Sequence, residues 1–342
     1  MSEIVNLIRP SLQNLVKYSS AREEFEGEAS VYLDANENPF GDYNRYPDPY
    51  QLALKKKISE VKKVDENRIF LGNGSDEIID LLMRLFCVPG QDAILQFTPS
   101  YGMYEVSAKI NDINVISCPL DEEFDIDIEA FKKIEKTNAK ILFICSPNNP
   151  SGNSFSAERI QLCLEEFKGI IVIDEAYIDF SNKPSWIEKL KGNKRLVVVQ
   201  TFSKAYGLAS CRLGMAFADP EIVEWLNKIK PPYNISTANQ NIVLETLQNH
   251  EEIARQIEIL QKEKSRLLLG LKELKKVKKV YPSDANFLLI KIEGMDNVYD
   301  QLLAKGIVTR KRKNVSEDAM RISIGSEEEN DKLLTELKKL DK

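Results

Sequence analysis

The chain has 342 residues, of which 43% are hydrophobic and 29% charged, with a formal net charge of −6. That length suits one large α/β body plus a smaller domain with a sizeable core, and an acidic balance without a basic stripe argues against nucleic acid as a partner. No apolar run approaches the ~18 residues of a membrane span, and the opening residues lack the apolar stretch of a secretion signal, so the expected setting is the cytoplasm, with no membrane contact.

Residues 1–45 read as an irregular arm that ends in the turn-rich run Asn36-Glu-Asn-Pro-Phe-Gly41 and either packs on its own subunit, against the small domain, or takes part in a contact with a dimer partner. Residues 46–235 read as a large domain. Short, nearly continuous apolar runs at 68–71, 92–96, 115–118, 139–144, 170–173, 196–200 and 214–218 predict strands covered on both faces. Helical patterns between them predict a large, doubly wound, mostly parallel sheet. Residues 236–342 read as a smaller α+β domain. Ile253, Ile257, Leu260, Leu267, Leu271 and Leu274 predict one long amphipathic helix. A strand at 285–292, a helix near 296–305, a strand pair at 307–308 and 320–324, and a closing helix from Glu327 follow. Lys272, Lys275, Lys276, Lys278 and Lys279 read as a solvated helix end.

Cys87, Cys118, Cys145, Cys163 and Cys211 are scattered and odd in number. They predict free, mostly buried thiols in a reducing compartment, with no disulfide frame and no metal site. His250 is the one histidine and reads as a surface residue at a helix start. Proton transfer therefore has to rest on a lysine, a tyrosine or a carboxylate.

Three segments carry chemistry. In Val172-Ile-Asp-Glu-Ala-Tyr177, Asp174 closes a buried strand, where open α/β sheets bind ligands. A carboxylate there is costly unless it meets a positive charge, and a pyridinium nitrogen would supply one. Tyr177 is placed to hydrogen-bond the phenolic oxygen of such a ring. In Val199-Gln-Thr-Phe-Ser-Lys-Ala-Tyr-Gly207, Lys204 follows Asp174 by 30 residues, about one βαβ step. A lysine in a dry site near other positive charge loses its proton readily and forms a Schiff base. Thr201, Ser203 and Arg212 offer hydroxyls and a guanidinium to a phosphate. In Leu71-Gly-Asn-Gly-Ser-Asp-Glu77, a glycine turn opens a helix whose bare N–H groups suit a phosphate, although plain helix capping explains that segment alone. It matches neither the nucleotide P-loop nor the dinucleotide fingerprint.

These segments, with Leu33-Asp-Ala-Asn-Glu-Asn-Pro39, Asn44-Arg-Tyr-Pro-Asp-Pro49, Pro99-Ser-Tyr-Gly-Met-Tyr104, Ser146-Pro-Asn-Asn-Pro-Ser-Gly152 and Arg321-Ile-Ser-Ile-Gly325, stand in family order along nearly the whole chain. The chain resembles the fold-type-I pyridoxal-phosphate (PLP) aminotransferases, and most closely their histidinol-phosphate branch. Ser151 departs from the family's usual threonine.

The resemblance implies the PLP-dependent transferase fold and assigns roles. Lys204 would hold the cofactor and move the substrate proton. Asp174 would face the ring nitrogen, and Tyr177 and Asn149 the ring oxygen. Tyr101 would stack on the ring. Gly74, Ser75, Asp76, Thr201, Ser203 and Arg212 would hold the cofactor phosphate, with Tyr46 of the other subunit, which implies a homodimer with shared sites. Tyr18, Asn36, Arg310 and Arg321 would contact substrate. The implied reaction is transamination between L-histidinol phosphate and 2-oxoglutarate, giving imidazole-acetol phosphate and glutamate in histidine biosynthesis. An aromatic amino-acid aminotransferase or a phosphothreonine-type decarboxylase would share every cofactor residue, and a non-catalytic PLP-binding regulator is a distant alternative. Tyr101 and Tyr104 also read as core aromatics, and Arg310, in Arg310-Lys-Arg-Lys313, as one more surface charge.

Overall fold

The computed structural model describes residues 3–19, 21–24, 30–134 and 137–341, apart from the side chains of Arg22, Glu23 and His250. The surface reading of His250 therefore lies outside the described residues, although a helix does start at that position.

In chain order the elements are α1 (Glu3–Leu7), α2 (Ala21–Glu24), α3 (Leu52–Lys62), β1 (Ile69–Gly72), α4 (Ser75–Phe86), β2 (Ala93–Thr98), α5 (Met103–Ile110), β3 (Asn114–Pro119), α6 (Ile128–Ile134), β4 (Ala139–Cys145), α7 (Ala157–Glu166), β5 (Ile170–Asp174), β6 (Leu196–Thr201), β7 (Gly214–Phe217), α8 (Pro220–Ile229), α9 (Thr237–Gln248), α10 (His250–Lys272), β8 (Val277–Val280), β9 (Phe287–Ile292), α11 (Met295–Ala304), β10 (Arg310–Lys311), β11 (Ala319–Ser323) and α12 (Glu327–Leu340).

The large sheet runs β1-β7-β6-β5-β4-β2-β3. β2 through β6 pair in parallel, and β7 alone is antiparallel to its neighbours β1 and β6. All seven strands lie where the apolar runs predicted them. Their side chains alternate between two cores. Leu71, Leu95, Leu142, Ile171 and Val198 face one core with α3, α6, α7 and α9. Phe70, Ile94, Phe143, Val172 and Val197 face the other with α4, α5 and α8. Burial on both faces is why these strands read as unbroken apolar runs.

The four-stranded second sheet is antiparallel, in the order β10-β11-β9-β8. It packs on α10, α11 and α12 through Leu267, Leu271, Ile290, Val298, Ile322 and Leu337.

Several expectations differ from the structure. The start of the arm is helical, and Ile4 and Ile8 are buried in the core with Phe70 and Phe86. Helix α9 belongs to the large body, because Val243 and Leu247 pack in its core. Helix α10 spans both bodies. Ile253 and Ile257 lie against the large core, Leu267 and Leu271 sit in the small one, and Leu260 touches both. The lysine-rich stretch is a helix end only in part: Lys272 closes α10, while Lys278 and Lys279 lie in β8. The strand expected at 307–308 begins instead at Arg310. Gly306, at φ +72°, ends the α11 turn just before it. All five cysteines are buried and free, as expected.

Candidate active site

The carboxyl ends of β4, β5 and β6 and the turn after β1 open on one edge of the large sheet. Ser75, Asp76, Tyr101, Cys145, Asn149, Asp174, Tyr177, Thr201, Ser203, Lys204 and Arg212 line a single cavity there. The crevice at strand carboxyl ends is where the topology of open α/β sheets leaves room for a ligand.

Asp174 ends β5 and is 3% exposed. Tyr104 Oη donates to its Oδ2 at 2.7 Å, and the Ala176 N–H donates to its Oδ1 at 3.1 Å. Burial pushes its carboxyl above the usual range, against those two hydrogen bonds. No cation lies within ion-pair distance of it among the described residues.

Lys204 follows β6, and its Nζ stands 5.7 Å from the centre of the Tyr177 ring. Burial first, and then the charge of Arg321, holds its ammonium below the ordinary lysine value. This favours the free amine, which is the nucleophilic form. The Tyr177 hydroxyl, pushed up by burial, lies 3.5 Å from Asn149 Nδ2. Asn149 Oδ1 in turn accepts from Arg321 Nη1 at 2.5 Å. The Arg321 guanidinium sits over the Phe287 ring, whose edge also meets Tyr177. Phe287 opens β9, so the small sheet closes one wall of the site.

The start of α4 forms the opposite wall. Its N-cap is Gly74, at φ +82°, and no side chain caps its first N–H groups. Those donors and the positive helix end suit an anion. Arg212 Nη2 reaches Asp76 Oδ2 at 3.3 Å, and Tyr101 Oη donates to Asp76 Oδ1 at 3.0 Å. A Cβ on Gly74 would stand 2.7 Å from Arg212 Nη2, and one on Gly214 would stand 2.4 Å from the Ser75 nitrogen. Only glycines let strand, helix start and arginine come this close. The Thr201 hydroxyl accepts from the Ser203 N–H at 3.1 Å and holds that turn.

The donor set fits PLP. The buried, cation-free carboxylate of Asp174 suits the ring nitrogen, the open start of α4 with Arg212 suits the phosphate, and Lys204 lines the same cavity.

A family model described as aminotransferase class I and II matches residues 22–337. The chain belongs to this family. Among relatives of this aminotransferase, the histidinol-phosphate aminotransferase of Parabacteroides distasonis is 50% identical, with 99% of each chain covered. The solved structure of the histidinol-phosphate aminotransferase from Clostridium acetobutylicum is 29% identical, with a TM-score of 0.80 over 87% of this chain and 91% of that one. That of the Sinorhizobium meliloti enzyme, in complex with pyridoxal-5'-phosphate, is 20% identical, with a TM-score of 0.80 over 90% of this chain and 89% of that one. It supports the fold.

Not every expected residue of the aminotransferase meets in this cavity. Tyr18 is 64% exposed and stands apart from it. Asn36, at φ +55°, and Tyr46 line a second cleft with Ser236 and Thr237. Tyr46 is half exposed and stacks on Tyr233 at 4.4 Å. Arg310 is exposed but pairs directly with Arg321 in the ladder. Two residues escaped the sequence reading. Tyr104 is fully buried against Phe143 and holds Asp174, a role that nothing in its spacing signals. Arg312 passed as part of a surface charge run. The alternation of Arg and Lys over 310–313, with period two, was the available sign.

Proposed function

We propose that this aminotransferase exchanges the amino group of L-histidinol phosphate with 2-oxoglutarate, a step of histidine biosynthesis, using PLP. The meeting of Asp174 and Lys204 in one cavity, with Arg321 bonded to Asn149 of its lining, carries the reading, and half-identity to a histidinol-phosphate aminotransferase over the whole chain supports it. When bound, the cofactor supplies an electron sink for the charge left at the substrate Cα. Asp174 would keep the ring nitrogen protonated. Tyr177 and Asn149 would hold the ring oxygen, with Tyr101 on the ring face. Gly74, Ser75, Asp76, Thr201, Ser203 and Arg212 would hold the cofactor phosphate. Lys204 Nζ, as a neutral amine, would be the base that takes up and hands on the proton at the substrate Cα. Arg321, steadied by Asn149, would bind the anionic end of each substrate, with Arg310, Tyr18 and Asn36 closing around it.

The reading includes a homodimer with shared sites, in which Tyr46 serves the partner's cofactor phosphate. The exposure of Tyr46 and its separation from the cavity support this. It also includes a cytoplasmic setting, which five free thiols suit. A division into an arm (1–45), a large domain and a small domain is likewise proposed. The packing of α9 supports moving the boundary from 236 into α10.

The test is glutamate formation from histidinol phosphate and 2-oxoglutarate, with Lys204→Ala as control. Turnover by the wild type and none by the variant is the expected result. Wild-type turnover of phenylalanine or phosphothreonine in place of histidinol phosphate would overturn the substrate.

A further inference from the structure

The lysines and arginines of the 310–313 stretch point to opposite sides. Lys311 Nζ and Lys313 Nζ lie 2.6 and 2.7 Å from the two oxygens of Asp296, on α11. Their charge is met there. Arg310 pairs across the ladder with Arg321, and Arg312 continues the pairing by donating its N–H to Ala319 O at 2.8 Å. Residues two apart on a strand share a face. Arg310 and Arg312 therefore stand on the side of Arg321, which reaches into the cavity through Asn149.

Among the described residues, no carboxylate lies within ion-pair distance of any of these three arginines. Arg312 is half-buried, and its Nε, shut off from solvent, has no hydrogen-bond partner. A desolvated donor on a charged group is expensive unless an acceptor arrives.

We propose that Arg312 is a specificity-determining residue, a third guanidinium of the substrate pocket that favours a phosphate dianion over a carboxylate. This rests on the reading of Arg321 as the substrate anchor. Burial, reinforced by Arg321 and Arg310, pushes the Arg312 guanidinium down to about 10, so it stays charged at neutral pH. An arriving anion relieves both its desolvation and the repulsion among the three. A phosphate ester carries up to two negative charges and three acceptor oxygens, and so can engage more guanidinium donors than a carboxylate. One pocket must accept a phosphorylated donor and a dicarboxylate acceptor, and Arg312 weights it towards the first.

The experiment uses PLP-loaded wild type, Arg312→Gln, Arg312→Met and Arg312→Lys. It measures inhibition of the glutamate half-reaction by inorganic phosphate, the KM for glutamate, and the KM for histidinol phosphate. Loss of one charged hydrogen bond corresponds to about tenfold. Phosphate inhibition and the histidinol-phosphate KM should each worsen by about tenfold in Gln and Met and less in Lys, with the glutamate KM changed by less than about threefold. The Met variant keeps the apolar stem should Gln disturb the packing. Equal worsening for phosphate and glutamate, or none for phosphate, overturns the proposal. A wild type that ignores histidinol phosphate while inorganic phosphate still depends on Arg312 overturns the substrate reading and leaves this one standing.

Discussion

Tyr104 donates its hydroxyl proton to Asp174 at 2.7 Å inside a wall from which solvent is excluded. The bond fixes the carboxylate proposed to face the ring nitrogen of the cofactor, and it partly offsets the burial that pushes Asp174 upward. Tyr104→Phe keeps the ring stack on Phe143 and removes only this donor. Losing a hydrogen bond to a charged group corresponds to about 1.5–3 kcal/mol. A fall in kcat/KM of about tenfold or more is expected, with the cofactor still bound. Unchanged kinetics would make Tyr104 a packing residue.

Gly214 carries the close approach of β7 to the start of α4. A Cβ there would stand 2.4 Å from the Ser75 nitrogen and 2.6 Å from the Gly74 carbonyl carbon. Both are backbone atoms, so neither can swing aside. Gly214→Ala should destabilise the fold by about 1–3 kcal/mol and weaken PLP binding, because it displaces the turn proposed to hold the cofactor phosphate. Cofactor titration with thermal unfolding reads both, and wild-type affinity would remove this turn from the phosphate site.

The sequence made the large sheet legible because its strands are covered on both faces. It concealed β8, whose Val-Lys-Lys-Val pattern sits at a sheet edge with two lysines outward. It misplaced the strand before β11, because Ile307 and Val308 suggest a strand more strongly than Arg310 and Lys311, yet the ladder forms at the charged pair. Residues at strand ends, such as Asp174, Lys204 and Asn149, were legible because topology brings those ends together. Tyr18, Asn36 and Tyr46 do not line the cavity, and no local pattern in the sequence encodes how far a side chain stands from it. Arg312 was hidden by its neighbours, since a charge run reads as solvated until Asp296 is seen to take only the lysines.

Glu175 gives the fold a pH dependence. It is 1% exposed and accepts from Ser185 Oγ, the Trp186 N–H and Gln200 Nε2. Burial raises it from 4.5 to about 7. A carboxyl raised on folding binds more protons in the native state, so its contribution is present below about 4.5 and lost as pH rises through about 7. Urea unfolding of wild type and Glu175→Gln at pH 5 and pH 8 isolates it. The wild type should lose up to about 3 kcal/mol relative to the variant between those pH values. A constant difference would contradict the shift.

Shared sites have a complementation signature. Lys204→Ala and Tyr46→Ala homodimers should each be impaired, the first without activity. A mixed dimer contains one site with both residues intact. Mixing the two variants in equal amounts should recover about a quarter of the wild-type activity, since roughly half of the dimers are then mixed and each holds one intact site of two. Failure to recover, with subunit exchange shown separately, would place Tyr46 in its own subunit's site or outside any site.

The most direct measurement is the absorbance of the PLP-loaded enzyme mixed with L-histidinol phosphate and no oxo acid, beside phenylalanine, aspartate and phosphothreonine. A rapid change of the bound cofactor to its amine form with histidinol phosphate above all others is the expected result, and Lys204→Ala should abolish it. A change driven mainly by another donor would contradict the proposed substrate, and no cofactor band after loading would contradict the role given to Lys204.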